Sequence, residues 1–252
     1  MLIPDWPAPA HVRALCTMRT GGVSRAPYES FNLGDHVGDA PHDVAANRAR
    51  LQQAAGARPV FMQQVHGAAV AELDAATSDG TVADGSTTTM SGVACTMMVA
   101  DCLPVLFTDE HGERVGAAHA GWRGLAGGVL EQTFKRFGPA TPEDKTRAAT
   151  RVIAWLGPCI GPTAFEVGAE VKAAFEARAP EASRCFVPGA AQGKWLADLP
   201  ALARQRLLAM GVDAVYGNDG SDAWCTVNNS SQFFSYRRDG ITGRFAALVW
   251  KV

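Results

Sequence analysis

Three residues able to bind a metal or act as a nucleophile sit in three similar settings. His66 closes the apolar segment "FMQQVHGAAV" (61–70), Cys102 interrupts "TMMVADCLPVLF" (96–107), and His119 ends the strand-like part of "VGAAHAGWRG" (115–124) just before a glycine turn. Singly, each has an ordinary explanation: a strand-end histidine is commonly a hydrogen-bonded turn residue, and a cysteine in an apolar strand is commonly a small buried hydrophobe. Jointly, three strands of one sheet can present all three to one rim. Two imidazoles and a thiolate suit zinc, and three protein ligands leave a fourth position open for water or substrate. The spacing lacks the short Cys-x-x-Cys or His-x-x-x-His pairs that make zinc sites readable from sequence. Two other chemistries therefore stay open: a Cys102 thiolate nucleophile with His119 as its base, and copper with Met97 or Met98 as an axial ligand. With six His and no His-x-His pair, the chain does not build a complete multicopper cluster by itself.

Groups suited to an anion lie in the same stretches. "AGWRG" leads into a helix with Arg123 at its entrance, where free N–H groups and the helix dipole favour negative charge. "SYRRDGITGR" gathers Arg237, Arg238 and Arg244 around a turn, and "NLGDH" and "NR" supply Asn32, His36, Asn47 and Arg48. A soluble hairpin tip and ordinary loop caps explain these equally well. Glu166 in "TAFEVG" opens a helix, where an acid is favourable with no catalytic role.

These residues must be positioned by a chain of 252 residues, long enough to bury roughly 70–75% of its unfolded surface in one core. The net charge of −2, from 23 basic and 25 acidic side chains, provides no strong field for nucleic acid or an anionic membrane. A small-molecule partner is expected. "MLIPDWPAPAHVRAL" lacks the apolar core of a signal peptide, and no run approaches the ~20 residues of a membrane helix. A soluble cytoplasmic protein follows as the expectation, with its six cysteines reduced.

Strands are expected over residues 11–19, 59–73 and 92–107, the last apolar enough to be buried on both faces. A helix capped by Asp39 and stopped by Gly56 precedes the second of these. "LAGGVLEQTFKRFG" reads as another helix, "TPEDKTRAA" as a solvated connection, and "RVIAWLGPCIGPTAFEVGAEVKAAFEARAP" as strand, turn and helix. "DLPALARQRLLAMG" is a further helix, and "FFSYRRDGITGRFAALVW" a closing β-hairpin around Asp239-Gly240. Hairpins mixed with strand–helix units predict an α+β fold, a three-layer α/β/α sandwich with a mixed β-sheet, in one domain spanning residues 1–252.

"MRTGGVS", "NLGDHVGD", "QQVHG", "ADG", "ADCLPVLF", "AAHAGWRG", "GPCIGP", "FEVG" and "FFSYRRDGITGR" together, in that order, resemble the YfiH-like laccase-domain family, also called the multicopper polyphenol oxidase family. The resemblance implies a zinc held by the His of "QVHG", the Cys of "ADCLP" and the His of "AHAGWRG", here His66, Cys102 and His119. It also implies action on a purine nucleoside with phosphate: phosphorolysis of adenosine, inosine and methylthioadenosine, with deamination of adenosine. Copper-dependent phenol oxidation and peptidoglycan-precursor editing are likewise associated with the family. Phosphorolysis needs an anion site, for which Arg48, Arg123 and Arg238 are the candidates.

Overall fold

A computed structural model of the chain describes residues 1–138 and 151–252. The segment "TPEDKTRAA", read above as a solvated connection, lies outside the described residues. The first half of the chain runs β1 (Val12–Cys16), α1 (Pro41–Ala55), β2 (Arg58–Phe61), β3 (Val70–Glu72), β4 (Gly85–Thr88), β5 (Val93–Val99), β6 (Leu103–Asp109), β7 (Val115–Ala120), α2 (Trp122–Gly127) and α3 (Val129–Phe134). The second half runs β8 (Val152–Leu156), β9 (Glu166–Gly168), α4 (Ala169–Glu176), β10 (Phe186–Pro188), β11 (Lys194–Ala197), α5 (Leu199–Ala209), β12 (Ala214–Gly217), α6 (Tyr236–Asp239) and β13 (Phe245–Lys251).

The strands form a four-stranded sheet in the order β1-β13-β5-β2, a six-stranded sheet in the order β12-β8-β6-β7-β4-β3, and a small sheet β10-β11-β9. Both larger sheets are mixed: β2–β5, β3–β4 and β8–β12 pair in parallel, the other neighbours antiparallel. The fold is α+β as expected, with helices on both outer faces and a β layer that is itself double.

Side-chain alternation along the strands explains the doubling. On β13, Phe245, Ala247 and Val249 point into a core shared with the six-stranded sheet, while Ala246, Leu248 and Trp250 pack with Leu51 of α1 and Phe61. On β6, Leu103, Val105 and Phe107 join the core under the helices, where Leu125, Val129 and Leu202 lie, while Leu106 faces the other sheet. On β7, Val115 and Ala117 lie on the inter-sheet face, and the period of two puts His119 on that face at the end of the strand.

Five features differ from the sequence expectation, each for a local reason. The strand expected over 92–107 breaks after Val99, because Asp101 takes φ 95° and turns the chain into β6. The strand expected over 59–73 is two short strands separated by the loop that carries His66 at φ 60°. The helix after "AGWRG" divides at Gly128, whose φ of 101° ends α2 and starts α3. The C-terminal hairpin is absent: Ser235 Oγ accepts from the Arg238 N–H, 236–239 form a single helical turn, and β13 pairs with β1 and β5. Asp39 is not the cap of α1 either. The N-cap is Ala40 with Pro41 following, and the Asp39 carboxylate accepts instead from Asn32 and the Ala40 N–H. No helix among the described residues is long and apolar enough to cross a membrane.

Candidate metal centre and substrate cavity

The double β layer opens at the end where β5 turns into β6 and β7 ends. His66 comes from the loop after β2, Cys102 from the β5–β6 turn and His119 from the last turn of pleat in β7. Only His119 is thus on a strand, whereas the sequence suggested strands for all three. Their ligand atoms lie within 4.8 Å of one another, with Cys102 Sγ 3.7 Å from His66 Nε2 and the two imidazole rings edge-on at 4.8 Å between centroids. A tetrahedral metal with bonds of about 2.3 Å to sulfur and about 2.0 Å to nitrogen would hold these atoms ~3.5 Å apart. The donor set therefore fits one metal ion. No other such group of His, Cys, Asp or Glu side chains occurs among the described residues.

Asp84, fully buried ahead of β4, organises two of the three ligands. Its Oδ1 accepts from His119 Nδ1 at 2.8 Å and from the His66 N–H at 2.9 Å, and its Oδ2 accepts from the Val65 and Gly67 N–H groups at 3.1 and 2.7 Å. One carboxylate thereby fixes the His119 tautomer, turns Nε2 toward Cys102, and holds the His66 loop in its positive-φ shape. Burial pushes the Asp84 carboxyl up, but these hydrogen bonds outweigh it and keep the group below its ordinary value. Asp101 does the same for Cys102. Its oxygens accept from Thr226 Oγ1 and the Arg237 N–H, both at 2.6 Å, which stabilises the turn at φ 95°. His66 and Asp101 are the two non-glycine residues with positive φ among the described residues, and both serve this site.

The electrostatics single out Cys102. Burial pushes its thiol up, but the His119 and His66 imidazoles alongside bring it down to about 6. Burial lowers His119, and the Cys102 thiolate and Asp84 reverse that and raise it to about 9. Burial drives Cys16 and Cys95 up to about 12 and Cys185 to about 11, so these remain inert thiols.

The glycines of "AGWRG" are required by the ligands. A Cβ on Gly121 would stand 2.8 Å from Cys102 Sγ and 3.0 Å from His66 Cδ2, and one on Gly124 would stand 2.9 Å from the Gly67 carbonyl oxygen. Over the trio lies a cavity of about 410 Å³. Met98, Trp122, Ile160, Phe165, Leu199 and Tyr236 give it an apolar wall, and Arg237 and Arg244 a cationic side with His36 beside them.

Arg48, Arg123 and Arg238 do not line that cavity. Arg48 pairs with Asp35 and Asp79 and lies over the Phe61 ring. Arg123 stacks on the Trp122 indole at 4.4 Å from its centroid. Arg238 pairs with Asp239 and donates to the Thr226, Val227 and Phe233 carbonyls, which makes it a loop clamp. The helix entrance after "AGW" is also only six residues long before Gly128 breaks it. Met97 is fully buried between the sheets, whereas Met98 lines the cavity and its sulfur lies 3.9 Å from Arg48 Nη2. Sequence reasoning missed Asp84 and Asp101. An aspartate before glycine in "ADG" reads as a turn residue, and no spacing rule ties it to histidines 18 and 35 residues away.

Residues 13–252 match the family model described as multi-copper polyphenol oxidoreductase laccase. A purine nucleoside phosphorylase of Pseudomonas aeruginosa is 53% identical, covering 99% of this chain and 97% of its own length. Purine nucleoside phosphorylase YfiH of Escherichia coli is 46% identical, covering 100% and 99%. Among solved structures, a Neisseria meningitidis DUF152 protein superposes with a TM-score of 0.90 at 48% identity, covering 99% and 98% of the two chains. YlmD of Geobacillus stearothermophilus superposes with a TM-score of 0.81 at 32% identity, covering 100% and 99%.

Proposed function

The chain belongs to the multi-copper polyphenol oxidoreductase laccase family, and we propose that it is a zinc-dependent purine nucleoside phosphorylase, splitting adenosine, inosine and methylthioadenosine with phosphate and deaminating adenosine as a side reaction. The observation that carries this is the composition of one cavity: a His66–Cys102–His119 ligand set below an aromatic wall, with arginines on the side. The names of the relatives point the same way.

Phosphorolysis joins a phosphate oxygen to C1′ of the ribose as the bond from C1′ to the purine nitrogen breaks, giving ribose 1-phosphate and the free base. The flat, apolar base is suited to the wall of Phe165, Trp122 and Tyr236, which can stack on it and exclude water. Phosphate requires fixed positive charge within reach of the ribose, and the cationic side of the cavity supplies it. His66, Cys102 and His119 would hold the zinc, which when bound supplies Lewis acidity toward an oxygen or nitrogen of the substrate. Asp84 keeps His119 and the His66 loop in place for that ion.

The test is inosine in phosphate-free buffer followed by addition of phosphate, with ribose 1-phosphate and free ribose measured separately and metal content determined on untagged protein. Ribose 1-phosphate formed only after phosphate addition supports phosphorolysis. Free ribose released equally fast without phosphate makes the enzyme a hydrolase. The family description favours a second reading, copper-dependent phenol oxidation. It requires oxygen consumption that rises with added copper, and a single three-ligand group predicts that this is slow.

A further inference from the structure

We propose that Arg244, assisted by His36 and Arg237, forms the subsite that binds inorganic phosphate in the cavity above the ligand trio. The proposal rests on the phosphorylase reading for its choice of anion, but the subsite itself stands on geometry. Two of the neighbouring arginines are already neutralised: Arg48 pairs with Asp35 and Asp79, and Arg238 with Asp239. Arg244 and Arg237 both line the cavity, and neither has a carboxylate within salt-bridge distance among the described residues.

Arg244 is held as a built fixture. Its backbone N–H donates to Asn32 Oδ1 at 2.8 Å, and its carbonyl accepts from the Leu33 N–H at 3.0 Å. Nη1 donates to the Thr242 and Gly243 carbonyls, both at 3.1 Å. Its stem lies on Gly34, where a Cβ would come within 2.8 Å of Arg244 Cγ. "NLG" is thus a cradle that needs glycine to let the stem pass. Nε and Nη2 carry no partner among the described residues, and they form the edge of a guanidinium that grips an oxyanion with two parallel hydrogen bonds. A half-buried guanidinium without a counter-ion is costly, and burial indeed lowers its hold on its proton.

The neighbours complete the subsite without cancelling its charge. His36 lines the same cavity, where partial desolvation and the positive charges of Arg244 and Arg48 hold its imidazole below the ordinary histidine value, and a ring N–H can donate one hydrogen bond. Asp35 approaches His36 at 3.5 Å but is also engaged by Arg48. Arg237 is anchored through its backbone N–H to Asp101, and its Nη1 to the Ala164 and Glu166 carbonyls, leaving Nε and Nη2 without a partner among the described residues. Asp101, the acid in the cavity wall, has both oxygens occupied by Thr226 and Arg237.

Phosphate binding to the metal-loaded protein by calorimetry, together with the KM for phosphate and for inosine, tests this in wild type, Arg244→Gln, Arg244→Lys and Arg151→Gln. Arg151 is a surface control that removes one positive charge beside Asp213, away from the cavity. Arg244→Gln is expected to weaken phosphate binding and raise its KM by about 10- to 100-fold, with the inosine KM within about threefold of wild type. Arg244→Lys keeps the charge but not the fork, and should fall between the two. Should Arg244→Gln fail to fold by circular dichroism, the lysine variant decides alone. Unchanged phosphate affinity in whichever variant folds overturns the subsite, as does a wild-type protein that binds no phosphate. Inosine monophosphate competing for the site at higher affinity than inorganic phosphate would overturn the assignment to free phosphate. Phosphate bound without nucleoside turnover leaves the subsite standing and removes the phosphorylase reading; phosphate-dependent turnover with an unaltered phosphate KM does the reverse.

Discussion

Asp84 and His119 are tied to each other twice: the Asp84 carboxylate accepts from His119 Nδ1 at 2.8 Å, and the Asp84 carbonyl accepts from the His119 backbone N–H at 2.7 Å. The second bond extends the pairing of β4 with β7, so the sheet itself carries the carboxylate to the histidine. The same carboxylate holds the backbone of Val65, His66 and Gly67.

Asp84→Asn keeps the shape but replaces one acceptor oxygen by an NH₂ that cannot accept. Each oxygen accepts from two donors, so two of the four then lose their partner in a buried place. Loss of a partner that orients a ligand commonly costs about 10- to 100-fold in metal affinity, and that fall is expected in a chelator competition titration. Wild-type affinity in the variant would show that Asp84 supports the sheet and not the ligands.

Cys102→Ala removes the thiolate and should empty the site while leaving a folded chain, since Cys102 is only half-buried and alanine fits its turn. Metal content by elemental analysis and melting by circular dichroism check the two halves. Full metal occupancy in the variant would exclude this ligand set. Metal loss with nucleoside turnover unchanged would make the ion structural.

The α+β class and the helices on both faces were legible from the alternation of apolar strands with capped helices. The doubling of the β layer was not, because each buried strand reads as a continuous apolar run whichever neighbour covers it. Residue type was enough to gather His66, Cys102 and His119, but not to say that two of them sit on turns. Asp101 is the instructive failure: inside "TMMVADCLPVLF" it looks like an interruption of one long strand, and only its contacts with Thr226 and Arg237, more than 100 residues away, make a turn there. That Arg48, Arg123 and Arg238 lie off the cavity lining was not legible for a similar reason. Whether an arginine is free for a ligand depends on carboxylates brought in from elsewhere, as Asp35 and Asp79 are for Arg48.

Asp101 at φ 95° predicts an unusual order of variants. Asp101→Ala loses both hydrogen bonds and leaves a Cβ in a strained backbone, and should destabilise by about 2–3 kcal/mol. Asp101→Gly loses the same bonds but relieves the backbone, and should be more stable than the alanine variant by about 1 kcal/mol. Denaturant unfolding measures both. Equal stabilities would mean that the turn is not strained at this residue.

The contact of Gly121 with the ligands gives a test in which no ligand is touched. Gly121 has φ −64° and ψ 160°, which alanine adopts freely, so backbone strain does not enter. The added methyl would stand 2.8 Å from Cys102 Sγ and 3.0 Å from His66 Cδ2, and both side chains would have to move outward. Overpacking of this kind costs about 1–3 kcal/mol. If the ligand set absorbs it, metal affinity falls about 5- to 150-fold while the fold and the apolar wall stay as they are. Gly127→Ala is the matched control: it lies at the end of the same helix and its methyl would meet nothing within 4 Å, so metal affinity should be unchanged. Chelator titration of the two variants side by side decides it. A Gly121→Ala protein that binds metal as tightly as the Gly127→Ala protein would show that the trio has slack to spare, and that the close approach of the "AGWRG" turn does not set the ligand geometry.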